Sequence, residues 1–182
     1  SSGASMGDKY GPIVVGRRAY TKDDLRKAKI AVPGELTSAF LAMQLYMGGK
    51  AGEAFDYVVV PFDEIFDYLR AGKAEAGLII HEGQLTYGGE GFKLSVDLGE
   101  WWHAETGGLP LPLGGNAIRR ELGEKVIREV SDILRKSIKF GLDHRADGLA
   151  HARRLGRGLE GEDLGRFVGM YVNELTLDYG ER

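Results

Sequence analysis

Two hydrophobic rhythms alternate along the chain: short apolar runs closed by Pro or Gly, and longer stretches in which apolar residues recur every three or four positions. PIVVGRR (residues 12–18) and KIAVP (29–33) read as short strands, joined by the polar YTKDDLRKA, which has room for one helical turn. Pro33 and Gly34 close the second strand. TSAFLAMQLYM (37–47) follows as a helix, nearly apolar all round, with Thr37 or Ser38 placed to cap it. The unit then repeats. FDYVVVP (55–61) is a strand, and FDEIFDYLRAG (62–72) is an amphipathic helix with Ile65, Phe66 and Leu69 on one face and Gly72 as its stop. EAGLII (75–80) is the next strand and ends at His81.

FKLSVDL (92–98) alternates as a further strand, and EWWHAETGG gives a short helix. LPLPLGGNAIRR (109–120) is extended, because a proline disfavours helix for the residue before it. From Leu122 to about Leu142, Val126, Ile127, Val130, Ile133, Leu134 and Ile138 keep a 3.6-residue period and predict a long helix. Further helices are predicted over about 145–155 and 161–172. Strands separated by helices point to parallel βαβ units, so the expected fold class is α/β, a mostly parallel sheet with flanking helices. In such sheets ligands collect beyond the carboxyl ends of the strands. Two stretches fall there: Gly34 to Ser38 after the second strand, and His81 to Tyr87 after the fourth.

Composition narrows the chemistry. The chain has 182 residues, 43% hydrophobic and 28% charged, which suits a globular protein with one good-sized core or two small lobes. A net charge of -3 gives no polyanion-binding surface, so neither nucleic acid nor a membrane is an expected partner. With no cysteine, disulfides, thiolate metal sites and cysteine nucleophiles are excluded. No apolar run approaches the roughly 18–20 residues that cross a bilayer, and the opening residues contain no apolar core of a secretion signal. The chain starts without Met, which weakens any argument from its first residues.

At Thr37 and Ser38, free backbone N–H groups and the positive end of the helix dipole make an anion site, with two hydroxyls beside them. An ordinary helix cap explains the same residues. The stretch is neither a Walker loop nor a dinucleotide fingerprint. His81 exchanges a proton near neutral pH and would face the same edge, which suits a general base. A histidine hydrogen-bonded where a core strand reaches water explains it equally. Glu82 could orient the ring, but neighbours on a strand point to opposite faces, so it could equally face solvent. Gln84, Thr86 and Tyr87 read as loop residues able to contact a ligand.

The remaining candidates are weaker. His144 and His151 lack a third metal ligand, so a solvated helix accounts for them. Arg153, Arg154 and Arg157 lie among acidic residues without interleaved aromatics. Trp101 and Trp102 read as packing residues, and no G-x-S-x-G elbow is present.

Three stretches together, GLIIHEGQLTY (77–87), VDLGEWWHAETGGLPLPLGGNAIRR (96–120) and YVNELTLD (171–178), resemble the 1,4-dihydroxy-6-naphthoate synthase family of the futalosine route to menaquinone. The resemblance runs over essentially the whole chain. It implies a two-lobed fold like the type II periplasmic binding proteins, with the first lobe incomplete in this chain. The implied division is residues 1–24 as crossover and part of the first lobe, 25–112 as the second α/β lobe, and 113–182 as return strand and helices packing with the first. The resemblance also implies a cytoplasmic carbon–carbon lyase that acts on a small molecule, cyclic dehypoxanthinyl futalosine, without cofactor or metal. Its products are 1,4-dihydroxy-6-naphthoate and a three-carbon sugar fragment. His81 matches the family's general base, Thr37 and Ser38 its Thr-rich helix start beside Gly34, and Leu113 and Gly114 the segment bordering the cleft. Family members carry a substantial segment before this start, so the chain is expected to be a fragment. Two other readings share the fold: a solute-binding protein that captures without chemistry, and the sister chorismate dehydratase of the same pathway. The oligomeric state is left open.

Overall fold

A computed structural model describes residues 3–155 and 160–180. The chain opens on a three-residue strand, β1 (Ser5–Gly7), within a Ser/Gly-rich stretch that carries no strand pattern. There follow β2 (Ile13–Gly16), the one-turn helix α1 (Lys22–Leu25), β3 (Lys29–Val32), α2 (Ser38–Met47), β4 (Asp56–Val59), α3 (Ile65–Arg70) and β5 (Ala76–Ile79). A second one-turn helix, α4 (Gly83–Thr86), precedes β6 (Lys93–Asp97) and α5 (Leu98–Glu105). β7 (Leu111–Gly114) pairs with β1, and helices α6 (Gly123–Asp143), α7 (Arg145–Arg153), α8 (Gly161–Tyr171) and α9 (Glu174–Leu177) follow.

Contacts divide the chain into two compact units, residues 8–111 and residues 1–7 with 112–182. Within the first unit β2 is hydrogen-bonded on both sides in a five-stranded sheet, ordered β4-β3-β5-β2-β6.

β3 runs parallel to β4 and β5, while β2 is antiparallel to both β5 and β6. Four strands thus point one way and β2 the other, because apolar periodicity fixes which residues face a core but not the direction of a strand. Ile13, Val15, Ala31 and Ile79 pack on Ile65, Phe66 and Leu69 of α3. Their chain neighbours Val14, Ile30, Val32 and Leu78 are fully buried as well, so the opposite face of the sheet is also covered. This double burial is why β2, β3 and β5 read as continuous apolar runs rather than alternating ones.

Local signals account for the helices. Thr21 and Asp24 form a reciprocal capping box on α1. Gly72, at φ +68°, takes the left-handed stop after α3. The second unit buries few of its described residues. α6 matches its predicted span and is strongly amphipathic, yet none of its residues is buried; Ile133 is 66% and Phe140 60% exposed.

Candidate functional site at the carboxyl edge of the sheet

The topology brings the carboxyl ends of β3, β4, β5 and β6, and the start of β2, to one edge of the five-stranded sheet. Across that edge Ile13 pairs with Ile79 on one side and Asp97 on the other. β3 and β5 are neighbours, so the turn into α2 and the His81 segment follow adjacent parallel strands.

The turn into α2 is a built cap. Thr37 Oγ1 accepts from the Phe40 N–H at 3.1 Å and donates to the Gly34 carbonyl at 2.8 Å. Gly34 sits at φ +149°, where a side chain would be strained. Thr37, rather than Ser38, is thus the cap, its hydroxyl both donating and accepting, and Ser38 is the first helical residue. In the same loop Glu35 Oε1 accepts from the Tyr57 hydroxyl at 2.8 Å, which pushes the Tyr57 pKa up.

His81 lies two residues beyond β5, not within it. Here the chain turns at once: Gln84 N–H donates to the His81 carbonyl at 2.9 Å and Leu85 N–H to that of Glu82. The stretch expected as a loop is therefore the helix α4, and three consequences follow. The side chain of Gln84 is buried, donating to the Gly11 carbonyl at 3.0 Å, so it ties α4 to the entry of β2. The imidazole packs between Phe62 and Phe66, with ring centroids 5.9 and 5.6 Å away. Its Nδ1 accepts the Gly83 N–H at 3.0 Å.

Gly83 is required by that packing. A Cβ there would lie 2.7 Å from the Phe66 ring and 2.8 Å from His81 Cε1. Leaving the strand also releases Glu82 from strand alternation. Its carboxylate comes round to 3.7 Å from His81 Nδ1, with both side chains largely buried.

Asp97, which the sequence pattern did not single out, lies at the same edge of the sheet. It ends β6 and accepts the N–H groups of Gly99 at 2.7 Å and Glu100 at 3.2 Å, capping α5. Burial pushes its carboxyl up to about 6, against the lowering effect of the backbone N–H groups around it. The signal was present as D-L-G-E, an N-cap acid with Glu three residues on. Gly99 belongs to the same construction, since a Cβ there would overlap the carbonyl of Tyr10.

Leu113 and Gly114 lie on β7, which pairs with β1 in the sheet of the other compact unit. His144 breaks the chain between α6 and α7 and stacks on Phe140 at 4.0 Å, so it shares no continuous helix face with His151. Trp101 meets Tyr46 edge-on at 5.5 Å and Trp102 donates to the Pro110 carbonyl, as packing residues do. Arg157 lies outside the described residues. Among those described, no helix is long and apolar enough to cross a membrane.

A helix-covered sheet of this topology and its likeness to a solved binding protein place the chain in the periplasmic-binding-protein class of folds. The alkanesulfonate-binding protein SsuA of Xanthomonas axonopodis pv. citri, solved bound to MOPS, superposes with a TM-score of 0.66 at 15% identity, over 92% of this chain and 58% of that one. The chain belongs to the menaquinone biosynthesis family, whose model matches residues 1–182. It is 40% identical over 180 residues to the 1,4-dihydroxy-6-naphtoate synthase of Thermus thermophilus, covering 99% of this chain but 63% of the relative. A crystal structure of a protein from Archaeoglobus fulgidus matches at 41% identity and TM-score 0.90, over the whole of this chain and 65% of that one. The chain thus spans less than two thirds of the length of either.

Proposed function

We propose that the protein carrying this chain is a carbon–carbon lyase of menaquinone biosynthesis, forming 1,4-dihydroxy-6-naphthoate from cyclic dehypoxanthinyl futalosine in the cytoplasm. The observation that carries this reading is the match to a synthase of that product over nearly the whole chain, with His81 seated at the sheet's carboxyl edge. In the proposed reaction the substrate carboxylate rests on the N-terminus of α2, where the backbone N–H groups of the first turn and the positive end of the helix dipole favour an anion. Thr37 acts by shaping that turn, since its hydroxyl already serves Gly34 and Phe40. His81 removes a proton from the sugar-derived portion: the C–H bond breaks, an N–H bond forms, and the electron pair left on carbon starts the cleavage. Gain of an aromatic ring draws the reaction forward. Leu113 and Gly114 are proposed to border the substrate in the longer protein.

Replacing His81 with Asn in the longer protein is expected to lower turnover by about a hundredfold or more while substrate still binds. Near-normal turnover would refute the general-base role. A solute-binding protein of this fold would show binding that is indifferent to the same change and no product.

A further inference from the structure

Nδ1 of His81 accepts the Gly83 N–H at 3.0 Å, so in the neutral ring that nitrogen is bare and the proton sits on Nε2. A ring in that form cannot receive a substrate proton at Nε2. It becomes competent there when Nδ1 carries the proton, and Gly83, itself a donor, cannot accept it. The Glu82 carboxylate stands 3.7 Å from Nδ1, close enough for charge attraction once the ring is protonated. We propose that Glu82 is the positioning residue of this site. Its carboxylate attracts the protonated ring across 3.7 Å, with the Nδ1 proton staying on His81, and thereby sets the pH at which the imidazole takes up a second proton.

The surroundings favour this role. Side-chain exposure is 16% for His81 and 22% for Glu82, so water screens the pair only in part. Phe62 and Phe66 flank the ring and offer no charge of their own. The other ionisable groups on the elements packed against it are Asp63, Glu64, Asp67, Tyr68 and Arg70 on the phenylalanine-bearing segment, and Tyr87 at the end of α4. Glu82 is the chain neighbour of His81, and the turn into α4 brings its carboxylate to within 3.7 Å of the ring.

The inference rests on the reading of His81 as the base, yet it is testable without turnover. Titration of the His81 ring by NMR in this chain and in Glu82→Gln is expected to show the variant taking up its proton about one pH unit lower, because a stabilising negative charge has been removed. Glu82→Asp, which keeps the charge on a shorter arm, is expected to recover part of the difference. Equal titration of wild type and Glu82→Gln would overturn the proposal. In the longer protein, Glu82→Gln should move the acid limb of the rate profile down by the same interval and reduce kcat roughly threefold to tenfold with little change in KM. A His81 that is not the base would be exposed by the His81→Asn turnover assay, and the NMR comparison would stand unaffected.

Discussion

His81 is held by contacts that leave little slack. Its ring is fixed by two phenylalanines and by one backbone N–H from a glycine that tolerates no Cβ. Gly83→Ala should push the Phe66 and His81 rings apart, costing about 1–3 kcal/mol and shifting the His81 ring resonances. A spectrum of His81 unchanged in that variant would contradict the packing described. The sequence marked His81 because a buried strand stopped there, which is a strong signal of position. It left the direction of Glu82 open, since strand alternation says nothing of residues 81 and 82, which lie beyond Ile79. Nor did it reveal the burial of Gln84, whose partner, the Gly11 carbonyl, lies 73 positions away and is invisible to any local pattern.

At the scale of elements, β6 and α5 meet at a carboxylate that burial has made reluctant to ionise. An ordinary Asp titrates near 3.9, whereas Asp97 does so at about 6 in the folded chain. Between these values the folded state holds a proton that the unfolded state has released. The stability this contributes is complete below about pH 4 and is lost as pH rises through 6. Asp97→Asn keeps an oxygen for the Gly99 N–H and removes the charge. It is therefore expected to gain on the order of 1 kcal/mol at pH 8 and to flatten the fall between pH 4 and 6, as read from urea denaturation. A variant no more stable than wild type at pH 8 would be inconsistent with a buried, strained ionisation. Most elements were legible because each carries its own period, cap or stop. β1 was not, since Ser and Gly have no strand preference and its pairing with β7 comes from distant chain.

On the scale of the molecule, burial is unevenly shared. Nearly all fully buried side chains belong to residues 8–111, while α6 carries an apolar stripe with no residue buried. The 3.6-residue period that located α6 so well says that a face is apolar, not that something covers it. Leu78→Ala, at a position with no exposure, is expected to cost about 2–5 kcal/mol. Ile133→Ala should cost less than about 0.5 kcal/mol in this chain. Comparable losses for both in denaturant titration would show that α6 packs more tightly than its exposure indicates.

The reversed strand β2 has a further consequence, for the order in which the molecule comes together. Residues 13–16 find their partners at 76–79 and again at 93–97. Such pairings close long loops and slow folding compared with the neighbouring βαβ contacts. As the chain leaves the ribosome, β3, β4 and β5 can assemble while Ile13, Val14 and Val15 wait, apolar and unpaired. The strand made earliest in this sheet is therefore among the last to be enclosed, and it gains its second partner only after Asp97 has been added.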